Sequence, residues 1–354
     1  MSGSDRPSAS TAHAISPDSG EHWSAPGAWP VADGVHRIPL PLPMDGLRAV
    51  NVYVIEGADG LTLIDGGWAI TEGREALDAG LRLLGVGFGD IARFLVTHVH
   101  RDHYTLASVL GKEYGAEVSL GADERATLES ALNSDGARSR DGWLLRDAGA
   151  ADLVERWQAM TREAIDPDHW RLPDHWLDGD QRLEVSGRTL DAVHTPGHTR
   201  GHFVFADRAA GMLFAGDHVL PTITPSIGFE PAPVVSPLGD FMASLTKVRG
   251  LPDLRLLPAH GPVADSTHAR IDQLMAHHEE RLARCLEALR AGRRTAREVA
   301  EALPWTRREH AFSSLDLFNS TLAVLETKAH LEVLAARGDA GRAETGDGVL
   351  FTPR

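Results

Sequence analysis

An apolar run, Ile91–Val96, leads without a break into Thr97-His98-Val99-His100-Arg101-Asp102-His103. A short run of this composition reads as a strand, and a strand end is a rigid place from which a loop can hold side chains at fixed positions. Alternate residues of an extended segment point the same way. His98, His100 and Asp102 are therefore predicted to converge, with a turn bringing His103 to a neighbouring position. Imidazole and carboxylate are ligands that zinc favours, and a catalytic zinc site keeps one position open for water. The competing reading is a solvated histidine-rich loop that binds metal weakly.

Three distant positions repeat the arrangement. His198 lies in HTPGHTRGH, Asp217 in LFAGDH and His260 in LLPAHG, each after an apolar strand-like run. Any one alone would be an ordinary turn residue; all three, in this order, are specific. The single cysteine, Cys285, allows no intrachain disulfide and no cysteine metal cluster. A metal must then be held by histidine and carboxylate, and the chain has 18 histidines.

The first 30 residues are rich in Ser, Pro, Gly and Ala and lack the basic start and apolar run of a signal peptide. They read as a flexible leader, with the cytoplasm as the expected location. No apolar run approaches the ~20 residues that span a bilayer. Strands are predicted at Val35–Leu40, Val50–Glu56, Leu61–Asp65, Ile91–Val96 and Glu117–Leu120, and helices at Thr71–Leu84 and Leu106–Tyr114. A helical insertion, about 122–176, holds Trp143, Trp157, Trp170 and Trp176, half of the 8 tryptophans. These four either form an apolar lid suited to an acyl or aromatic group or pack the insertion onto the domain. Strands follow at Leu183–Val193, Phe203–Ala206, Met212–Phe214 and Leu254–Leu257, with a helix at Asp240–Arg249. Strand–helix alternation after an all-β opening implies a mixed α/β fold. From residue 271 to 354 the pattern changes to helices at Ile271–Arg290, Thr295–Leu303 and Leu317–Arg337 and a closing hairpin, the outline of a winged helix.

With these motifs in place, residues 31–268 resemble a metallo-β-lactamase-fold hydrolase of the glyoxalase II-like branch, and residues 271–354 resemble the winged-helix module attached to some members. The resemblance implies a four-layer αββα sandwich. It also implies a first metal on His98, His100 and His198, a second on Asp102, His103 and His260, and Asp217 bridging both. Two zinc ions are implied, with manganese or iron as alternatives, together with hydrolysis by water activated between them. Asp102 would orient that water and help move its proton. Asp65 in LIDGG matches the family's acidic residue beneath the metals, with a role in orienting ligand histidines. His194 and His202 flank His198 but fall outside the ligand pattern. His218 would either face substrate or simply pack, and Tyr104 stands where many members have a small residue. His36, His169, His175, His277 and His278 are expected at the surface.

Three functions compete: hydrolysis of a thioester, lactone or other small carbonyl compound; phosphodiester or RNA hydrolysis; and a metal-binding regulatory or interaction module without catalysis. Retention of all seven ligand types argues against the last. The formal net charge of -15 argues against nucleic acid and anionic membrane as partners and favours a small-molecule substrate. From Glu279 to the end, twelve acidic residues balance twelve basic ones, and Leu317–Arg337 is strongly apolar. That suits packing on the catalytic domain or in a homodimer better than reading DNA. The expected result of a low-salt anisotropy titration is no submicromolar binding to duplex DNA or structured RNA. Tight, salt-sensitive binding would favour the phosphodiesterase reading.

Overall fold

The computed structural model describes residues 14–43, 46–132, 142–159, 166–230, 234–305, 309–346 and 348–354. Residues 1–13 of the expected leader, and 133–141 and 160–165 of the insertion, lie outside them.

The first sheet takes its seven strands in chain order: β1 (Trp29–Ala32), β2 (Val35–Pro41), β3 (Ala49–Ile55), β4 (Leu61–Ile64), β5 (Ile91–Leu95), β6 (Glu117–Gly121) and β7 (His175–Leu177). The opening strands meander antiparallel, as the closely spaced turns require, and β4 to β7 run parallel. Parallel neighbours need a crossover, which α1 (Thr71–Leu83) and α2 (Arg101–Tyr114) supply. Their buried Leu77, Leu81, Leu106 and Leu110 cover one face of the sheet. Between β6 and β7 runs the insertion, which contains α3 (Arg125–Leu132) and α4 (Ala151–Gln158).

The second sheet has the order β12-β11-β10-β9-β8, with β8 (Gln181–Val185), β9 (Arg188–His194), β10 (Phe203–Asp207), β11 (Met212–Gly216) and β12 (Arg255–Pro258). The run expected as one strand at Leu183–Val193 is a hairpin. It turns at Ser186-Gly187, where both residues have positive φ (52° and 74°), the geometry a two-residue hairpin loop favours. Tyr53, Ile55, Ile64 and Leu95 of the first sheet meet Phe203, Phe205, Phe214 and Leu257 of the second in the dry layer between the sheets. Helices α5 (Pro237–Arg249), α6 (Thr267–Arg290), α7 (Ala296–Ala302) and α8 (Leu317–Arg337) build the layer over the far face of the second sheet. The result is the four-layer αββα sandwich expected from the sequence.

Three findings differ from the expectations drawn from the sequence, two of them on the domains. First, the leader is packed from residue 14. Trp23 is buried, Asp18 pairs with Arg37 at 2.8 Å, and both charged side chains are wholly inaccessible to solvent. Second, the C-terminal helices and the hairpin β13–β14 (Ala340–Thr345, Gly348–Pro353) share their apolar cluster with the second sheet among the described residues. Leu282, Leu289, Val324 and Leu331 share one apolar cluster with Leu213, Ala215 and Leu256 of the second sheet. On α8, Val324, Leu325, Leu331, Val333 and Leu334 are buried within the chain and Leu322 is half-buried, so this stripe needs no second subunit to cover it. Third, His278 is buried rather than at the surface, 3.2 Å from His330 on α8 and edge-on to Phe241. His36, His169 and His277 are half-buried and His175 is exposed.

The insertion joins both halves. Leu153, Val154 and Trp157 join the C-terminal cluster, whereas Trp170 and Trp176 pack on the first-sheet cluster and Trp143 stays exposed. Among the described residues no helix is long and apolar enough to cross a membrane.

Removing one partner of a buried ion pair strands the other charge, at a cost of about 3–5 kcal/mol. Arg37→Met is expected to destabilise the chain by about that amount, read as a lower urea midpoint at unchanged slope.

Candidate metal centre

The strand ends explain the convergence. β4 and β5 are parallel neighbours, as are β11 and β12. Each pair therefore delivers its C-terminal residues to one edge: Asp65 and His98 from the first sheet, Asp217 and His260 from the second. The loop after β9 adds His198. Gly216, just before Asp217, has a φ of 49°, and a Cβ there would sit 2.7 Å from both His202 Nε2 and Thr97 Oγ1. The two sheets approach too closely at this point for any side chain.

Asp102 is placed otherwise than alternation predicts. The helix starts at Arg101, five residues before the predicted start, with His100 as its N-cap. Asp102 and His103 consequently lie on its first turn, where a carboxylate is favoured by the helix dipole. Asp102 Oδ2 faces His260 Nε2 at 3.3 Å and His103 Nε2 at 3.7 Å. The residues form three overlapping groups: His98, His100 and His198; His98, His103 and Asp217; Asp102, His103 and His260.

Hydrogen bonds outside the cluster fix how the imidazoles present themselves. His198 Nδ1 donates to Ser226 O at 2.8 Å, and His260 Nδ1 to Ala49 O at 2.7 Å. His103 Nδ1 donates to Asp65 Oδ2 at 2.8 Å. The Thr97 hydroxyl donates to Asp65, so it accepts from His98 Nδ1 at 3.0 Å. In all four rings the Nε2 lone pair is therefore turned inward. Nε2 of His98 and of His198 both lie 3.0 Å from His100 Nδ1, where a single proton satisfies at most one of them. Among the described residues, His103 Nε2, His260 Nε2 and Asp217 Oδ1 are buried with no close hydrogen-bond partner, only one another and Asp102 at 3.3–3.7 Å, although leaving buried polar atoms unpaired is costly. Buried acceptors that face only one another are the donor set a divalent cation requires.

Electrostatics divides the cluster in two. Burial holds His98, His100 and His198 below the ordinary imidazole range, His100 at about 3, which keeps them neutral and able to ligate. Around His103, burial is outweighed by Asp65, Asp102 and Asp217, which raise it to about 10. His260 is raised in the same way by Asp217 and Asp102 against its burial. Despite burial, His103 and His260 hold Asp102 well below the usual carboxylate range. This half of the site attracts positive charge. Asp217 spans both halves, with Oδ2 3.4 Å from His198 Nε2 and Oδ1 3.4 Å from His260 Nε2. Of the seven, only His100 and Asp102 are not fully buried, and they mark the mouth.

The neighbouring residues fall into place around this cluster. Asp65, at a φ of 62°, lies beneath it and also accepts from Thr97 N at 2.7 Å. His202 bonds Thr195 Oγ1 and accepts from the Asp217 amide, so it supports the loop without facing the centre. His194 bonds Arg200 O outside the cluster. His218 is buried edge-on against Phe241. Tyr104 is buried, its hydroxyl donating to Arg171 O, which ties α2 to the insertion. Sequence reasoning missed Asn51 and Tyr53. Asn51 Nδ2 donates to Pro258 O and Gly261 O, and Tyr53 OH donates to Pro258 O, which fixes the His260 loop. Both sit in a strand that reads as plain core.

A profile of the metallo-beta-lactamase superfamily matches residues 45–260. The chain belongs to that superfamily. Among similar proteins is YqjP of Bacillus subtilis, named a probable metallo-hydrolase, 27% identical over 85% of this chain and 91% of that protein. Another is an atrochrysone carboxyl ACP thioesterase of Paecilomyces divaricatus, 34% identical over 40% of this chain. A beta-lactamase-like protein 2 homolog of Caenorhabditis elegans is 30% identical over 40% of this chain. The aligned part spans only 42% and 48% of the last two proteins. A crystal structure of a metallo-beta-lactamase family protein from Thermus thermophilus superposes with a TM-score of 0.74 at 29% identity, over 92% of this chain and 100% of that one. The protein is a metal-dependent hydrolase of this superfamily.

Asp65 orients His103 and anchors the turn that carries His98. Loss of such an outer partner typically lowers metal affinity by about 10–100-fold. Asp65→Ala is expected to do so in a chelator-competition titration.

Proposed function

We propose that the chain is a dinuclear zinc hydrolase acting on a thioester, lactone or other small carbonyl substrate. The observation that carries this reading is the position of Asp217. Its Oδ2 lies 3.4 Å from Nε2 of His198, a member of the His98, His100 and His198 group, and its Oδ1 lies 3.4 Å from Nε2 of His260, a member of the Asp102, His103 and His260 group. Metal held by these residues would lower the pKa of bound water towards neutrality and offset charge developing on the substrate oxygen. The chain's own contribution is to exclude bulk water, through the burial of five of the seven residues, and to manage the proton. Asp102 is the acid at the mouth. With His260 engaging Oδ2, it can orient the incoming water and take its proton. The relative named as an acyl-carrier-protein thioesterase supports a thioester among the carbonyl substrates.

Elemental analysis after zinc reconstitution is expected to give about two ions per chain. Asp102→Ala is expected to retain about one of them and to lower turnover by about 10²–10⁴-fold, whereas Asp217→Ala should disturb both positions. Acyl-CoA thioesters, lactones and a phosphodiester should be assayed side by side. Turnover of the phosphodiester alone would overturn the carbonyl reading.

A further inference from the structure

We propose that Glu124 and Glu230 are positioning residues that clamp the Thr199-Arg200 segment, and through it aim His198 at the rest of the centre. This rests on the metal reading of the site. Glu124 is wholly inaccessible to solvent, in the turn that follows β6. Its Oε1 accepts from the hydroxyl of Thr199, the residue next to His198. The Val99 amide, which lies between His98 and His100, also stabilises its carboxylate. One buried acid thus meets a side-chain hydroxyl next to His198 and a backbone amide between His98 and His100.

Glu230 holds the other flank. Its Oε1 accepts from the Arg200 amide at 2.5 Å, and its carboxylate lies 3.5 Å from the Arg200 guanidinium. It belongs to the same loop as Ser226, whose carbonyl orients the His198 ring. Burying two carboxylates is expensive; Oε1 of each accepts from the segment beside a metal ligand, while Oε2 of each is buried without a hydrogen-bond partner among the described residues. Burial and the charge of Glu230 raise Glu124 to about 8, and burial raises Glu230 to about 7. The fold therefore keeps both acids in place at a cost to their ionised forms. The backbones cross in contact at the same place. A Cβ on Gly121 would lie 2.0 Å from Gly201 O, and one on Gly201 would lie 2.5 Å from Glu124 Cγ. His194 completes the grip through Arg200 O at 2.8 Å.

The test uses the full chain, titrated with cobalt(II) as a spectroscopic stand-in and with zinc against a chelator. Thr199→Val removes one hydroxyl and is close in shape; Glu124→Ala removes the carboxylate; Glu124→Gln keeps an acceptor for Thr199. Thr199→Val and Glu124→Ala are expected to weaken one metal position by about 10–100-fold and to change the cobalt absorption envelope. Glu124→Gln is expected to restore both. A purely structural role would lower the melting temperature of the metal-free protein and leave affinity and spectrum alone. If Glu124→Ala does not fold, Thr199→Val decides. Wild-type affinity and spectrum in Thr199→Val overturn the clamp while leaving the metal reading intact. A wild-type chain that takes up no cobalt overturns both.

Discussion

Four histidines, His98, His103, His198 and His260, direct their Nδ1 protons outward and their Nε2 lone pairs inward. Among the described residues, the inward atoms His103 Nε2, His260 Nε2 and Asp217 Oδ1 have no close hydrogen-bond partner in a water-poor site. The fold tolerates this only because the outer acceptors are fixed by elements that do not depend on the site. Ser226 O, Ala49 O, Thr97 Oγ1 and Asp65 come from four separate segments of chain. The sandwich can thus be viewed as a frame holding those outer groups, with a divalent charge relieving the inner ones.

The frame is itself polar at the points that matter most. Arg37 links Asp18 to Asn51, and Asn51 in turn holds the carbonyls of Pro258 and Gly261 on either side of His260. A charge pair near the start of the described chain is thereby connected to a ligand loop more than 200 residues later. Such a relay buries several polar groups at once, and its bonded atoms offset part of that cost, although Asp18 Oδ1 and Arg37 Nη2 are buried without a hydrogen-bond partner among the described residues. It explains why the segment from residue 14 is packed although its composition resembles a linker.

The C-terminal helices and the insertion behave as parts of one outer layer. Trp157 of the insertion stacks with Phe318 at the start of α8, and both meet Phe229, one residue before Glu230. Lys328 of α8 adds an ion pair to Asp147. The apolar character of α8 is thus explained by packing inside the chain, on the sheet that carries Asp217 and His260. The winged-helix likeness of this unit rests on the order of its elements alone.

The sequence by itself determined the fold class and picked out the seven residues that the structure gathers into one cluster. A strand followed by a histidine or aspartate turn is a local pattern, and local patterns survive in one dimension. The boundaries of α1 and α8 were equally legible, because helical periodicity is local too. The grouping was implied by the resemblance alone, and only the tertiary structure showed how the chain brings each group together. The early start of α2 moved Asp102 away from His98 and beside His260, a choice made by helix geometry and by contacts across the sheets. Glu124 and Glu230 carry no pattern of their own, since their partners lie 75 and 30 residues away. His278 reads as one more polar position on an amphipathic helix until α8 is packed against it. In each case the deciding interaction joins segments distant in sequence, so no window of neighbouring residues contains it.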